Sequence, residues 1–291
     1  MDLLKPVSPV IPVFFLVAIG FIFAHWKKIS LVAVTEIIVY LAAPSLVFTS
    51  LVTKPLFGTD IVVMFSGALG ILGGVGALVW IYFHLFQFRS RGFALPVLFM
   101  NAGNMGIPLS LFAFGEPGLQ RATLMFVIMS VFQYSLGIYI LSGKGNWTEI
   151  FRLPLIYATL AGLSCNLSQV GIPAMIFQPL LMLGYSTIPL MLVSLGYRLY
   201  DVRSLRWGHS LGGVFLRIFG GFLSAYMTAA IIGAQGINRQ IILLYGSLPA
   251  AVVNFILTEK YGQDPELAAS IVVLSTFASV LTIPCVFWFI L

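Results

Sequence analysis

Charge is scarce in this sequence. Asp, Glu, Lys and Arg make up 8% of its 291 residues, against roughly a quarter in a soluble domain. A soluble fold cannot hide the apolar remainder, so the solvent of this chain is largely lipid, with no room for a sizeable soluble domain. Acidic residues number nine and histidines three. Neither an HExxH run nor an aspartate-rich motif occurs, which argues against a membrane-embedded metalloenzyme. The two cysteines, Cys165 and Cys285, sit in apolar runs without metal-ligand spacing and read as buried, inert thiols. No Walker motif indicates direct use of ATP. The glycines at 67, 70, 73, 74 and 76 lack a Lys-Ser/Thr partner and mark close helix packing instead. The net charge of +6 is spread thinly between apolar runs, so no nucleic-acid-binding patch is expected.

Apolar residues make up 60% of the chain, and the mean hydropathy is +1.05. A helix needs about 20 mostly apolar residues to span the hydrocarbon core, and in lipid no backbone polar group can stay unpaired. Ten runs are candidates: residues 7–24, 31–52, 61–87, 93–114, 119–141, 153–168, 174–197, 211–233, 240–258 and 266–290. The first reads as a membrane helix rather than a cleaved signal peptide. Basic residues between the runs set the orientation. With the N-terminus outside, the inward loops hold Lys27, Lys28, Arg89, Arg91, Lys144, Arg152, Arg198, Arg203, Arg206 and Lys260. The outward segments hold Lys5, Lys54, Arg121 and Arg239. That bias of ten to four puts both termini outside the cell membrane. His25, His84 and His209, with Trp26, Trp147 and Trp207, fall near run ends, where interfacial residues belong.

The chain repeats itself. Pro44 and Pro189, in the second and seventh runs, are 145 residues apart. Pro108 and Pro249, in the fourth and ninth, are 141 apart, and Phe114-Gly115 and Tyr261-Gly262 are 147 apart. Residues 1–145 and 146–291 therefore form two related halves of five helices, and an odd number inverts the second half in the membrane. The expected fold is an all-α polytopic membrane protein with ten transmembrane helices in two inverted five-helix repeats, the fourth and ninth helices broken.

The breaks carry the chemistry. The fourth run contains "NAGNMGIP", Asn101 to Pro108. Proline removes a donor and clashes with the carbonyl four residues back. Gly103 and Gly106 loosen the backbone, and Asn101 and Asn104 can bond freed backbone groups or a ligand. The ninth run offers "YGSLPAAVVNF", with Ser247, Pro249 and Asn254. Each break presents a half-helix N-terminus that attracts anions. A simple kink satisfied by neighbours is the plainer reading of either helix alone; matching positions in two halves favour a built site. Pro44 and Pro189 lack such a cluster and need only bend their helices, although Ser45, Thr49, Ser186 and Thr187 could line a path.

"NAGNMGIPL", followed by "FG" at 114–115, resembles the auxin efflux carrier family, and "LPAAVVNFILTEKYGQDPELAASIVVLSTFASVLTIP" resembles that family's end. The family includes plant auxin exporters and bacterial carriers assigned to malonate or malate, and is similar in fold to bile acid:sodium symporters. The resemblance implies a scaffold domain of helices 1, 2, 6 and 7, commonly dimeric, and a transport domain of helices 3–5 and 8–10. An organic anion would bind at the crossover of helices 4 and 9 and be carried by an elevator-like shift. By position the site falls on Asn101, Gly103, Asn104, Gly106 and Pro108, with Pro249 and Asn254 opposite. Gln133 stands where many relatives have asparagine. The loop 142–152 is short, as in compact bacterial members.

Two ionisable residues fall inside runs, Glu36 and Arg217. Each lies eight residues from the run's edge at Lys28 or His209, about 12 Å deep at 1.5 Å per residue. Arg217 reads as a snorkelling anchor or as an attractor for the anion. Glu36 reads as a cavity-facing acid, a proton-coupling site or a partner for Arg217. The leading function is a secondary carrier for a small organic anion, auxin-like or a mono- or dicarboxylate such as malate or malonate, with no cofactor and with H+ or Na+ as candidate coupling ions. A passive anion channel and a sodium-coupled bile-acid-type symporter are the alternatives.

Overall fold

The computed structural model describes residues 6–53, 55–143, 151–200 and 205–291. Lys5, Lys54, Lys144, Trp147 and Arg203 lie outside the described residues, as does most of the 142–152 loop. Among the described residues the chain folds into eleven helices: α1 (Val10–Trp26), α2 (Val32–Thr53), α3 (Gly58–Leu85), α4 (Arg91–Leu98), α5 (Ala102–Ser142), α6 (Pro154–Leu167), α7 (Ala174–Tyr200), α8 (Gly208–Ile231), α9 (Gly236–Ser247), α10 (Val252–Lys260) and α11 (Pro265–Ile290). Six of these, α2, α3, α5, α7, α8 and α11, are long and apolar enough to cross a membrane.

Local chemistry marks the ends. Ser90 caps α4 by accepting from the Phe93 N–H, and Asp60 in the first turn of α3 accepts from the Phe57 N–H. Pro154 and Pro265 open α6 and α11 where a missing N–H costs nothing. The predicted fourth and fifth runs are joined in α5, but at Gly115 the backbone turns to φ 64°, ψ −156°, and this kink divides them. Four π-turns, at Ile38–Ala42, Ala102–Gly106, Gln133–Gly137 and Leu216–Gly220, widen α2, α5 and α8. Pro44 follows the first of them without breaking α2, and Pro189 lies inside an unbroken α7.

The outside of the bundle is apolar: Phe15, Trp80, Met175 and Leu281 are all exposed. Inside, hydroxyls return to their own helices, as Thr123 does to the Leu119 carbonyl and Ser224 to the Gly220 carbonyl. Cys285 is exposed on α11, against the expectation of burial, because it faces outward among the apolar side chains.

α1 packs along α7, where Gly20 and Gly196 bring each helix against a backbone carbonyl of the other, and α2 packs on α6 and α7. α3, α4, α5, α8, α9, α10 and α11 pack mainly on one another. Arg121 on α5 pairs with Asp60 on α3 at 2.9 Å and donates to Asn238 on α9 at 2.8 Å, so one ionic cluster ties three helices. Between the two sets run fewer contacts, chiefly α2 and α7 against α5, including a Ser50–Thr123 hydroxyl pair at 3.0 Å.

Candidate functional site

Two interruptions meet at the centre of the fold. α4 ends at Leu98 and α5 begins at Ala102; α9 ends at Ser247 and α10 begins at Val252. The linking strands cross antiparallel, paired at Met100 and Ala250. The Asn101 N–H donates to the Pro249 carbonyl at 2.7 Å, and the Ala251 N–H donates to the Phe99 carbonyl at 3.2 Å. The two breaks have different causes. Leu248 precedes Pro249 and is held extended at φ −64°, ψ 147°, as a residue before proline should be. Ile107 precedes Pro108 yet stays helical at φ −61°, ψ −57°. Pro108 therefore does not make the first break, which lies earlier, at residues 99–101. Asn101 replaces the proline there: its side-chain oxygen accepts from the Asn104 N–H and caps the start of α5.

Breaking a helix orphans carbonyls, and several of those at the crossover find side-chain donors. Asn254 Nδ2 donates to the Phe99 carbonyl at 2.8 Å, and Gln133 Nε2 donates to Asn254 Oδ1 at 2.6 Å. The Tyr245 hydroxyl lies 2.8 Å from the Ala122 carbonyl and 3.2 Å from the Ala102 carbonyl. Arg217 donates to the carbonyls of Val97, Leu98 and Gly246, at the C-terminal ends of α4 and α9.

The N-terminal ends of α5 and α10 face the other way, into a cavity of about 220 Å³. Asn101, Gly103 and Asn104 line it from α5, and Ala251 to Val253 line it from α10. Gln133 and Ser130 form a third wall, and Thr35, Ser194 and Arg198 close it from α2 and α7. Arg198 donates to the Thr35 hydroxyl at 2.9 Å. Asn101 is 3% exposed, and its Nδ2 has no hydrogen-bond partner. The first N–H groups of any helix lack intrahelical acceptors and carry partial positive charge. Two such ends, an unpartnered amide and a guanidinium give this cavity a lining that favours negative charge over positive.

A family profile described as "membrane transport protein" matches residues 142–287, half of the chain. The chain belongs to this family, that of the auxin efflux carriers. It is 29% identical to an uncharacterized transporter of Methanocaldococcus jannaschii, over 98% of this chain and 99% of the relative. An uncharacterized transporter of Methanothermobacter thermautotrophicus is also 29% identical, over 86% of this chain and 85% of the relative. The protein is thus a multi-pass membrane transporter.

In this transporter the predicted site residues separate into three groups. Asn101, Gly103, Asn104 and Gln133 line the cavity. Asn254, Pro249 and Gly106 support it from behind, with Gly106 against the Tyr245 ring; Pro108 takes no part in its wall and sits in α5 just after the π-turn. Ser247, Glu36 and Arg217 take no part in its wall. Ser247 is buried and returns its hydroxyl to the Leu243 carbonyl. Glu36 is exposed on α2, whereas Arg217 is buried on backbone carbonyls, so of the readings offered for Glu36 the one as a partner for Arg217 does not fit. Nor is Arg217 a snorkelling anchor, since its guanidinium points inward. Sequence reasoning missed Arg198 as a site residue by counting it as a loop charge. Its signal was its place at the end of the seventh run, one turn beyond Ser194, on the face that α7 turns to the crossover.

Proposed function

We propose that this transporter is a secondary carrier of a small organic anion, a mono- or dicarboxylate such as malonate or malate. The anion binds between the N-terminal ends of α5 and α10. The observation that carries this reading is the buried, unpartnered Asn101 Nδ2 in the wall of that cavity, because a buried donor left without an acceptor is costly unless a ligand supplies one. The volume, about 220 Å³, falls below the roughly 300–1,000 Å³ of drug-sized ligand sites and supports a small acid over a bile-acid-sized one.

We read the eleven helices as ten membrane passes in two inverted halves, with α4 and the start of α5 as one pass and α9 with α10 as another. Two crossed, interrupted helices at a central site support that reading. α1, α2, α6 and α7 form the scaffold, through which two copies pair; the remaining helices form the moving body. The dense packing within each set and the sparser contacts between them support the division. With both termini outside, the cavity opens inward, and the shift of the moving body carries the anion across.

The test is uptake of radiolabelled malonate into proteoliposomes of purified protein under a malonate counter-gradient. Saturable uptake competed by malate supports the carrier. Uptake that rises linearly with concentration, without competition or counterflow, would show a channel.

A further inference from the structure

Arg217 is fully buried, and among the described residues no carboxylate pairs with it. A lone buried cation is strongly unfavourable unless something negative surrounds it. Here the surroundings are helix ends. The C-terminal end of a helix carries partial negative charge on its last carbonyls. Both interrupted helices present such an end to the same guanidinium: Nη1 lies 2.8 Å from the Val97 carbonyl and 3.1 Å from that of Leu98, and Nη2 lies 2.9 Å from that of Gly246.

The site is built for this occupant. Arg217 lies in the π-turn Leu216–Gly220, a local widening of α8 that often marks a functional residue. Gly221 must stay bare, since a Cβ there would collide with Arg217 Nη2 and the Gly246 carbonyl. Gly246 must stay bare too, since its Cβ would collide with that of Ala225 and come within 2.5 Å of the Gly221 carbonyl. The two glycines let α8 and α9 approach closely enough for the guanidinium to reach both helix ends. Arg217 does not line the cavity, so its charge is kept apart from the anion.

In carriers with interrupted helices, half-helix C-terminal ends and unwound carbonyls are where a coupling Na+ is held. We propose that Arg217 is a resident cation in that position: it takes the carbonyls a coupling Na+ would need, and transport by this protein requires no sodium. Arg217 is then a positioning residue that fixes the two half-helix ends while the opposite ends hold the substrate. The proposal rests on the carrier reading only for what it says of coupling; the occupancy of the carbonyl site stands apart from it.

The experiment compares wild type, Arg217→Lys and Arg217→Gln in lipid nanodiscs. Melting temperatures are taken in sodium chloride and in choline chloride at equal ionic strength, with binding of radioactive sodium measured alongside. Wild type and Arg217→Lys keep the positive charge and are expected to melt at the same temperature in both salts and to bind no sodium. Arg217→Gln keeps a donor but loses the charge. It is expected to melt several degrees lower in choline, to recover part of that loss in sodium, and to bind sodium. A purely structural arginine predicts the same loss in both salts, and that result overturns the proposal. So does sodium binding, or sodium-specific stabilisation, in wild type, a measurement that stands even where Arg217→Gln fails to fold. Malonate uptake by wild type is expected to be unchanged when choline replaces sodium, and a several-fold fall would overturn the proposal. Absence of malonate uptake in either salt would instead count against malonate as the cargo, and the binding and melting results would still decide on the resident cation.

Discussion

The amide of Asn101 faces two ways. Its oxygen accepts from the Asn104 N–H at 3.2 Å, and its nitrogen is buried without a partner in the cavity wall. Two substitutions separate these roles. Serine is as good a helix cap as asparagine, whereas alanine costs about 1 kcal/mol of cap energy. Asn101→Ser is expected to keep the wild-type melting temperature and lose at least about tenfold in malonate affinity, one hydrogen bond to a charged group being worth roughly 1.5–3 kcal/mol. Asn101→Ala is expected to lose both stability and affinity. Wild-type uptake by Asn101→Ser would remove this amide from the site. Arg198 acts through charge rather than through helix geometry. Arg198→Gln is expected to raise the malonate KM by about tenfold, roughly 1.4 kcal/mol, with a smaller change in kcat, if the arginine draws the proposed anion to the cavity mouth. Equal KM values in the two proteins would place Arg198 outside the binding step.

At the scale of single helices, the sequence revealed that the fourth and ninth runs were interrupted but misplaced one interruption. Proline is the visible mark of a broken helix, and at Pro249 the mark is true, because Leu248 is forced extended. At Pro108 it misleads, because the backbone before that proline stays helical, with Gly106 at φ −61°, ψ −48° and Ile107 at φ −61°, ψ −57°. The cap at Asn101, which makes the earlier break, looks in the sequence like any polar residue in an apolar run. The π-turns left no readable trace, since nothing in the apolar runs distinguishes Ile38–Ala42, Gln133–Gly137 or Leu216–Gly220 from ordinary helix. Long apolar runs, by contrast, predicted most helix ends to within three residues, because lipid enforces length and internal hydrogen bonding. The same distinction orders the proline mutants. Pro249→Ala is expected to reduce malonate uptake severely and lower the melting temperature, as it frees Leu248 to turn helical and adds an N–H to a crowded crossing. Pro108→Ala and Pro44→Ala should stay close to wild type. Equal damage from Pro108→Ala and Pro249→Ala would mean that both prolines hold the crossover. Gly106→Ala belongs with Pro249→Ala: its Cβ would come within 2.7 Å of the Tyr245 ring carbon that bears the hydroxyl. A destabilisation of about 1–3 kcal/mol, typical of overpacking, should be measurable by thermal melting in detergent.

For the molecule as a whole, the question is whether the two sets of helices slide past one another. Within the larger set, the Asp60–Arg121–Asn238 cluster and the crossed linking strands hold helices from both halves of the chain as one body. At its border with the smaller set, Ser50 on α2 and Thr123 on α5 meet hydroxyl to hydroxyl at 3.0 Å, and both are buried. A neutral hydroxyl pair is worth only about 0.5–1.5 kcal/mol, so it could break and re-form if the proposed carrier works by such sliding, where a buried ionic cluster would resist. Cysteines at both positions, with Cys165 and Cys285 replaced by alanine, would bring two thiols within bridging distance of one mercuric ion. If the larger set must move against the smaller, mercury should cut malonate uptake of the double mutant to below about a tenth, with recovery on adding dithiothreitol and little effect on either single mutant. Loss of thiol labelling reports independently that the bridge has formed. A bridged protein that still transports at the wild-type rate would confine the motion to the crossover itself, with α2 and α5 fixed throughout.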